Sequence, residues 1–167
     1  MTLEEFNLLN NEDAKSVLLE FCSSKKWVKS MINKRPFIDI DQILNASKDI
    51  WNRSGQEDLV EAFSSHAKIG DISSIKNKYS KARKEQGQII DANESIIKKL
   101  FEMNKSYELK NGFIFIVFAT GKTANQMAEI LQKRLLNTTE QELVNAAIQQ
   151  NKITNHRIKF FLFIGGL

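Results

Sequence analysis

Apolar residues recur along most of this chain at intervals of three and four, the spacing that gathers side chains on one face of an α-helix. A single proline and seven glycines among 167 residues leave few interruptions, which favours helices further. The spacing predicts helices over residues 12–22, 27–31, from Asp39 or Asp41 to Trp51, 56–65, 72–86, 93–110, 122–136 and from Thr139 through Phe161.

Polar residues mark several of these helix ends. Asp39 or Asp41 can accept a hydrogen bond from the first turn of the helix that follows it. Gly112 predicts the end of the helix over residues 93–110, because glycine readily adopts the left-handed conformation that closes a helix. Thr139 and Glu142 have the spacing of a capping box, which predicts the start of the final helix.

Residues 113–119, Phe-Ile-Phe-Ile-Val-Phe-Ala, break the helical pattern. They are rich in residues that favour strands, yet no partner strand is predicted elsewhere in the chain. Their backbone groups must therefore find partners in side chains or in a ligand. We predict an all-α fold, a single-domain multi-helix bundle over residues 1–167, with one short buried extended segment near 113–118.

Composition and charge narrow the function classes. The net charge is +4 and the lysines are scattered, whereas a nucleic-acid interface concentrates them on one face, so no nucleic-acid partner is predicted. Cys22 is the only cysteine, which excludes an intrachain disulfide and favours the cytoplasm. The acidic N-terminus is not a signal peptide and no apolar run has the length of a membrane span, so no membrane partner is predicted.

Two histidines and one arginine are candidates for chemistry. His66 follows a predicted helix and is a core histidine, a surface cap at the helix end or an acid–base group, since histidine titrates near neutrality. His156 is interpreted as a surface residue. Arg157 falls on an otherwise apolar helical stripe and needs a partner, for which a carboxylate is the natural choice. With two distant histidines and no Cys/His cluster, no metal site is predicted.

The run Ala119 to Thr123 resembles part of a phosphate-binding loop, because Gly121-Lys122 follows a strand-like segment and precedes a helix. The first glycine of such a loop would fall at Ile116, where it is missing. Nucleotide binding is therefore not predicted, and Thr120 with Gly121 is interpreted as a turn that starts the next helix.

Taken together, motifs along nearly the whole chain resemble the OHCU decarboxylases (2-oxo-4-hydroxy-4-carboxy-5-ureidoimidazoline decarboxylases), a family of urate breakdown. The motifs are Leu8 to Asn10, Cys22, Trp27, Arg35-Pro36-Phe37, Ala62-Phe63, His66 to Asp71, Glu85-Gln86, Asn104, Tyr107, Gly112 to Val117, Ala119 to Lys122, Arg134-Leu135, Asn137, Glu142, Ala146-Ala147, Lys152 to Thr154 and Arg157.

The resemblance implies a cytoplasmic, homodimeric carboxy-lyase that uses no metal or organic cofactor. Its substrate would be OHCU and its product (S)-allantoin, formed by decarboxylation and protonation on one face. The implied catalytic residues are His66, as the acid–base group, and Glu85. The implied substrate-binding residues are Ala67, Ala82, Gln86, Phe113, Ile114, Phe115, Ile116, Val117 and Arg157.

Three positions depart from the family pattern. Ala67 replaces the usual proline after the histidine, Ala82 replaces a common serine, and Asn111 replaces a phenylalanine before Gly112. These changes motivate two alternatives, a non-catalytic helical binding module and a decarboxylase of a related ureido-heterocycle. A basic helical protein that binds nucleic acid is the third.

Overall fold

The structure, a computed structural model, describes residues 1–66 and 94–162. These residues form eight α-helices and no β-strand, which confirms the all-helical prediction for the described chain. The helix predicted over residues 72–86 lies outside the described residues. The helices are α1 Leu3–Leu8, α2 Asn11–Phe21, α3 Lys25–Asn33, α4 Ile40–Asn52, α5 Gln56–Ser64, α6 Glu94–Asn111, α7 Ala124–Arg134 and α8 Thr139–Phe161.

The chain divides into two compact units. The first unit comprises Met1–Ser65 and the chain from Ala147 onward, and the second runs from His66 to Ala146. Helix α8 begins in the second unit and ends in the first. The two units contain different candidate site residues, so each is described by itself.

In the first unit α3 packs against α2, α4 and α5, and large apolar side chains fill the space between them. Buried aromatic residues also find hydrogen-bond acceptors, since Trp27 Nε1 donates to the Ser47 carbonyl at 3.3 Å and Trp51 Nε1 to the Ala147 carbonyl at 2.9 Å. The fully buried core side chains of this unit include Phe6, Leu18, Phe21, Trp27, Met31, Ile43 and Phe63.

The predicted helix ends of this unit are confirmed at α3 and α4. Helix α3 ends at Asn33, before the cis Arg35–Pro36 bond. Of the two candidate caps for α4 it is Asp39 that accepts from the Gln42 N–H, at 2.7 Å. The intervening loop is held by Asn7, whose side chain both donates to the Phe37 carbonyl and accepts from the Phe37 N–H.

In the second unit α6 and α7 pack against each other and are joined by residues 112–123, here called the connecting segment. Gly112 and Gly121 have φ angles of 78° and 77°, so both adopt the left-handed conformation that other residues disfavour. Gly112 thus ends α6 as predicted. Residues 114–119 are neither helix nor strand, and the predicted lack of a partner strand is confirmed within the described residues.

The caps of α7 and α8 differ from the predicted ones, although α8 begins at Thr139 as predicted. Helix α7 is capped by Thr123, whose hydroxyl accepts from the Gln126 N–H at 3.1 Å, and does not begin at Thr120 and Gly121. Helix α8 is capped by Thr138, which exchanges hydrogen bonds with Gln141. The predicted partners Thr139 and Glu142 instead bond to other groups, because Glu142 points into the protein interior.

Candidate functional site

His66 follows the last turn of α5 and is half-buried. The end of α5 is anchored by Phe63, which is fully buried and meets the Trp51 ring edge-on at a centroid distance of 6.4 Å. Past the helix end, the Ser65 hydroxyl donates to the Ala62 carbonyl at 3.0 Å. The backbone that leads into His66 is therefore fixed by packing and by a side-chain cap.

Four of the predicted site residues lie outside the described residues. They are Ala67, Ala82, Glu85 and Gln86. The roles given to Glu85 and Gln86, and the effects of alanine at positions 67 and 82, stay predictions.

The five predicted binding residues Phe113, Ile114, Phe115, Ile116 and Val117 all lie in the connecting segment. Phe113, Phe115 and Ile116 are buried, and Ile114 and Val117 are half-buried. The Tyr107 ring meets Phe113 and Phe115 edge-on, at centroid distances of 6.1 and 5.4 Å. The segment is thus packed against α6 through its aromatic side chains.

A buried ionic network lies behind this segment. Arg134 Nε donates to Glu142 Oε1 at 2.6 Å, and Arg134 Nη1 donates to the Ile116 carbonyl. The Tyr107 hydroxyl also donates to Glu142 Oε1, at 2.6 Å, while Arg134 Cζ lies 4.7 Å from the centroid of the Phe115 ring. One arginine therefore connects α7, α8 and the connecting segment.

The second carboxylate oxygen of Glu142 is also satisfied. It accepts from Asn137 Nδ2 at 2.9 Å and from Asn145 Nδ2 at 2.7 Å. Burial on its own raises the pKa of Glu142, but the hydrogen bonds from Tyr107 and the two asparagines, together with Arg134, outweigh it and lower the pKa below its usual 4.5. Glu142 is therefore the ionised partner of Arg134.

The pKa of the Tyr107 hydroxyl is raised, whereas that of Glu142 is lowered. Burial raises the pKa of Tyr107 well above 10.0, and the hydrogen bond to Glu142 raises it further. Tyr107 therefore stays protonated and acts as a hydrogen-bond donor. Tyr107, Arg134 and Glu142 each belong to the family motifs, but the network that joins them was not predicted from the sequence.

In the first unit Arg157 lines a cavity of about 440 Å³. Its Nη1 donates to the carbonyls of Glu20 and Phe21, both at 3.3 Å, which are the last carbonyls of α2. Within the described residues Arg157 forms no ion pair, and its predicted carboxylate partner stays a prediction. The cavity is lined by Leu19, Glu20, Phe21, Ser23, Ser65, Arg157, Phe160 and Phe161.

Burial lowers the pKa of Arg157, and the nearby Glu20 carboxylate opposes that shift. An arginine nevertheless remains charged near neutral pH. Within the part of the chain that the structure describes, its Nε and Nη2 have no hydrogen-bond acceptor. The Arg157 guanidinium in this cavity therefore has N–H groups that can donate to a ligand, which suits an anionic or carbonyl-rich one.

The remaining candidates do not form sites. Lys122 Nζ donates to the Phe118 carbonyl at 2.9 Å. The lysine of the run that resembles a phosphate-binding loop therefore bonds to the backbone of its own segment. Cys22 is buried, and burial raises its thiol pKa to about 11, which fits a core residue. His156 is exposed and stacks on Phe160, in agreement with its interpretation as a surface residue.

Two features are absent from residues 1–66 and 94–162. No helix there is long and apolar enough to cross a membrane. No group of three or more His, Cys, Asp or Glu side chains is placed to hold a metal ion.

Comparison with known proteins identifies the family. Residues 7–159 match OHCU decarboxylase. The chain belongs to the OHCU decarboxylase family. The uric acid degradation bifunctional protein TTL of Arabidopsis thaliana is 35% identical over 142 residues, which are 82% of this chain and 44% of that protein. The chain thus spans less than half the length of this relative.

A second relative matches from end to end. It is the 2-oxo-4-hydroxy-4-carboxy-5-ureidoimidazoline decarboxylase of Haloferax volcanii, 19% identical over 95% of this chain and 94% of its own length. Among solved structures, an OHCU decarboxylase crystallised in the presence of (S)-allantoin superposes with a TM-score of 0.72 at 30% identity, covering 92% of this chain and 98% of that one.

An (S)-allantoin synthase superposes with a TM-score of 0.74 at 18% identity, over 97% of this chain and 54% of that protein, which supports the fold alone. The family predicted from the motifs is therefore confirmed.

Proposed function

We propose that this chain catalyses the decarboxylation of OHCU to (S)-allantoin in urate breakdown, as a carboxy-lyase. The observation that carries the proposal is the family match over residues 7–159, combined with the structural similarity to a decarboxylase crystallised with (S)-allantoin. The unpaired guanidinium donors of Arg157 beside a cavity of about 440 Å³ agree with a small anionic substrate.

The proposed chemistry follows from the substrate. Its carboxylate is attached to a ring carbon next to electron-withdrawing groups, so the C–C bond can break, carbon dioxide can leave and the electron pair can move into the adjacent imine or carbonyl system. The ring itself then serves as the electron sink, and no organic cofactor is needed. Donors aimed at the developing negative charge would supply the larger part of the rate enhancement.

Each proposed residue has one role. His66 transfers a proton to one face of the ring carbon, which gives a single enantiomer and contributes roughly a hundred- to ten-thousand-fold in rate. Glu85 and Gln86 hydrogen-bond the heterocycle and its ureido group. Arg157 holds an anionic group, and the backbone of residues 113–117, with its side chains, contacts the ring. Ala67 and Ala82 are proposed as substrate-binding residues whose side chains donate no hydrogen bond.

The proposal includes the organisation of the protein. Residues 1–167 would act as one OHCU-decarboxylase-like domain, and the family match runs through both compact units. A cytoplasmic homodimer is proposed on the resemblance and on the single cysteine.

The test is circular dichroism of freshly generated OHCU, made from urate by the two upstream enzymes, with and without this protein. Rapid appearance of the (S)-allantoin signal would support the decarboxylase. A signal no faster than the spontaneous racemic decay would contradict it and leave the non-catalytic binding module. A related ureido-heterocycle is then tried in the same assay.

A matched pair of variants tests the proposed acid–base residue. His66→Asn should abolish turnover and leave the helical content unchanged, because asparagine keeps a polar side chain of similar size but does not titrate. His156→Asn is the control, since His156 is exposed and is not among the residues that line the cavity. Near-native turnover in the His66 variant would remove it from the mechanism.

A further inference from the structure

The connecting segment contains a run of backbone donors without acceptors. Within the described parts of the chain, the N–H groups of Ile114, Phe115, Ile116 and Val117 donate to no backbone or side-chain acceptor. A helix or a paired strand would have satisfied them, and a polar ligand can do the same. These donors suit the carbonyl and carboxylate oxygens of a ureido-heterocycle.

One side chain holds this run in place by a hydrogen bond. Arg134 Nη1 donates to the Ile116 carbonyl, and the same guanidinium lies over the Phe115 ring. Its other two nitrogens donate to side chains: Nε donates to Glu142 Oε1 at 2.6 Å, and Nη2 donates to the Tyr107 hydroxyl at 3.3 Å. The guanidinium thus couples the position of one backbone carbonyl to a buried carboxylate.

We propose that Arg134 is a positioning residue for the decarboxylation, which fixes the connecting segment so that its free N–H groups meet the oxygens of the substrate. This inference rests on the proposed function and adds to it. Arg134 touches no substrate in this scheme. It acts through the Ile116 carbonyl and the Phe115 ring.

The geometry separates this role from a merely structural one. Glu142 needs a cation to balance its charge, and a lysine ammonium can supply it. Holding the Ile116 carbonyl at the same time requires a planar fork with several donors, which lysine lacks. Arg134→Lys should therefore keep most of the folding stability and still release the connecting segment.

The experiment compares Arg134→Lys and Arg134→Gln with two controls. Lys133→Gln removes an exposed charge from the neighbouring residue, and Ile43→Ala destabilises the buried core of the first unit. Stability is measured by urea unfolding, turnover by circular dichroism, and affinity for (S)-allantoin by calorimetry. Tyr107→Phe is a milder variant, which keeps the ring contacts and loses only the hydroxyl.

We expect Arg134→Lys to unfold near the wild-type urea midpoint while KM and the Kd for (S)-allantoin rise together by about tenfold, as for the loss of one or two hydrogen bonds. The value of kcat should change by less than about threefold, since uniform binding is lost. Tyr107→Phe should shift both constants by less than about threefold. The two controls should leave KM and Kd unchanged.

Amide exchange gives a readout that is independent of turnover. Saturating (S)-allantoin should slow hydrogen–deuterium exchange in wild-type peptides that cover residues 112–123, and it should slow the exchange less in Arg134→Lys. Wild-type KM, Kd and exchange in a well-folded Arg134→Lys would overturn the inference and leave the proposed function standing. A wild-type protein that neither binds (S)-allantoin nor forms it would overturn both.

Should Arg134→Gln fail to fold, the lysine and Tyr107 variants decide the matter alone. A Lys133→Gln or Ile43→Ala variant with the same binding defect would also overturn the inference, because charge or stability loss would then explain it.

Discussion

The two arginines on the apolar faces of α7 and α8 differ in what surrounds their charge. Arg134, in the second unit, is 8% exposed and pairs with the carboxylate of Glu142, so its charge is balanced within the protein. Arg157, in the first unit, is half-buried and donates to the carbonyls of Glu20 and Phe21, while the nearby Glu20 carboxylate forms no ion pair with it. Arg134 therefore needs no ligand to balance its charge, while Arg157 has no carboxylate bonded to it among the described residues and can bind an anionic ligand.

The difference lies in the acceptors. A carboxylate neutralises a guanidinium, so the pair needs no further counter-charge. Carbonyl oxygens satisfy hydrogen bonds without removing the charge. An arginine on an apolar stripe therefore indicates a ligand site only when its partners are neutral, which the sequence alone does not reveal.

The largest expected effect comes from breaking the balanced pair. Glu142→Gln would leave the charge of Arg134 buried without a counter-charge, and removing one member of a buried ion pair costs about 3–5 kcal/mol. Urea unfolding should show this loss. Glu140→Gln, an exposed change in the first turn of the same helix, should alter stability by less than about 0.5 kcal/mol. Equal losses in both variants would contradict the balanced-pair interpretation.

A smaller effect on stability, but a clear one on binding, is expected at the other arginine. Arg157→Gln removes a charged donor from the cavity, so affinity for (S)-allantoin and kcat/KM should fall by about 10- to 100-fold. Stability should fall by only about 1 kcal/mol, through the lost hydrogen bonds to the end of α2. Lys159→Gln, two residues along α8 and exposed, is the control. Unchanged binding in the Arg157 variant would remove this residue from the proposed site.

The smallest expected effect is a pH dependence that sharpens the comparison. The folded pKa of Glu142 lies below 4.5, so its ionised form stabilises the fold above about that pH. This contribution is lost as the pH falls through the lowered folded pKa. The difference in unfolding free energy between wild type and Glu142→Gln should therefore shrink below about pH 4.5.

The unfolding free energy of Arg157→Gln, measured over the same pH range, should behave differently from that of Glu142→Gln. Arg157 stays protonated across this range, so its difference from wild type should not change between about pH 7 and about pH 4. A Glu142→Gln difference that also stayed constant would contradict the ionised state of that carboxylate.

Sequence periodicity was sufficient for most of the fold because local rules decide it. Asp39 caps α4 and Gly112 ends α6 since each satisfies backbone groups within a few residues. The predicted cap of α8 was wrong because Thr138 with Gln141 has the same spacing as the predicted pair, Thr139 with Glu142. The first pair forms the cap, as Glu142 is taken by Arg134 eight residues before it.

The candidate site depended more on resemblance than on physics. His66, as a lone histidine, was compatible with a surface cap, and Glu85 and Gln86 drew attention only through the family motif. The partners of Arg157 could not be predicted, because the carbonyls it binds belong to residues 137 and 136 positions earlier in the chain. Contacts between residues so far apart in the sequence cannot be predicted from the spacing of residues within one helix.

The two left-handed glycines, Gly112 and Gly121, also bear on which changes in chain length this family member tolerates. Between them the backbone has a fixed number of residues, with the Ile116 carbonyl at the position that Arg134 reaches. A single inserted or deleted residue would bring a different carbonyl to the arginine and shift each buried side chain by one place. We therefore expect this segment to accept single substitutions more readily than a change in its residue count.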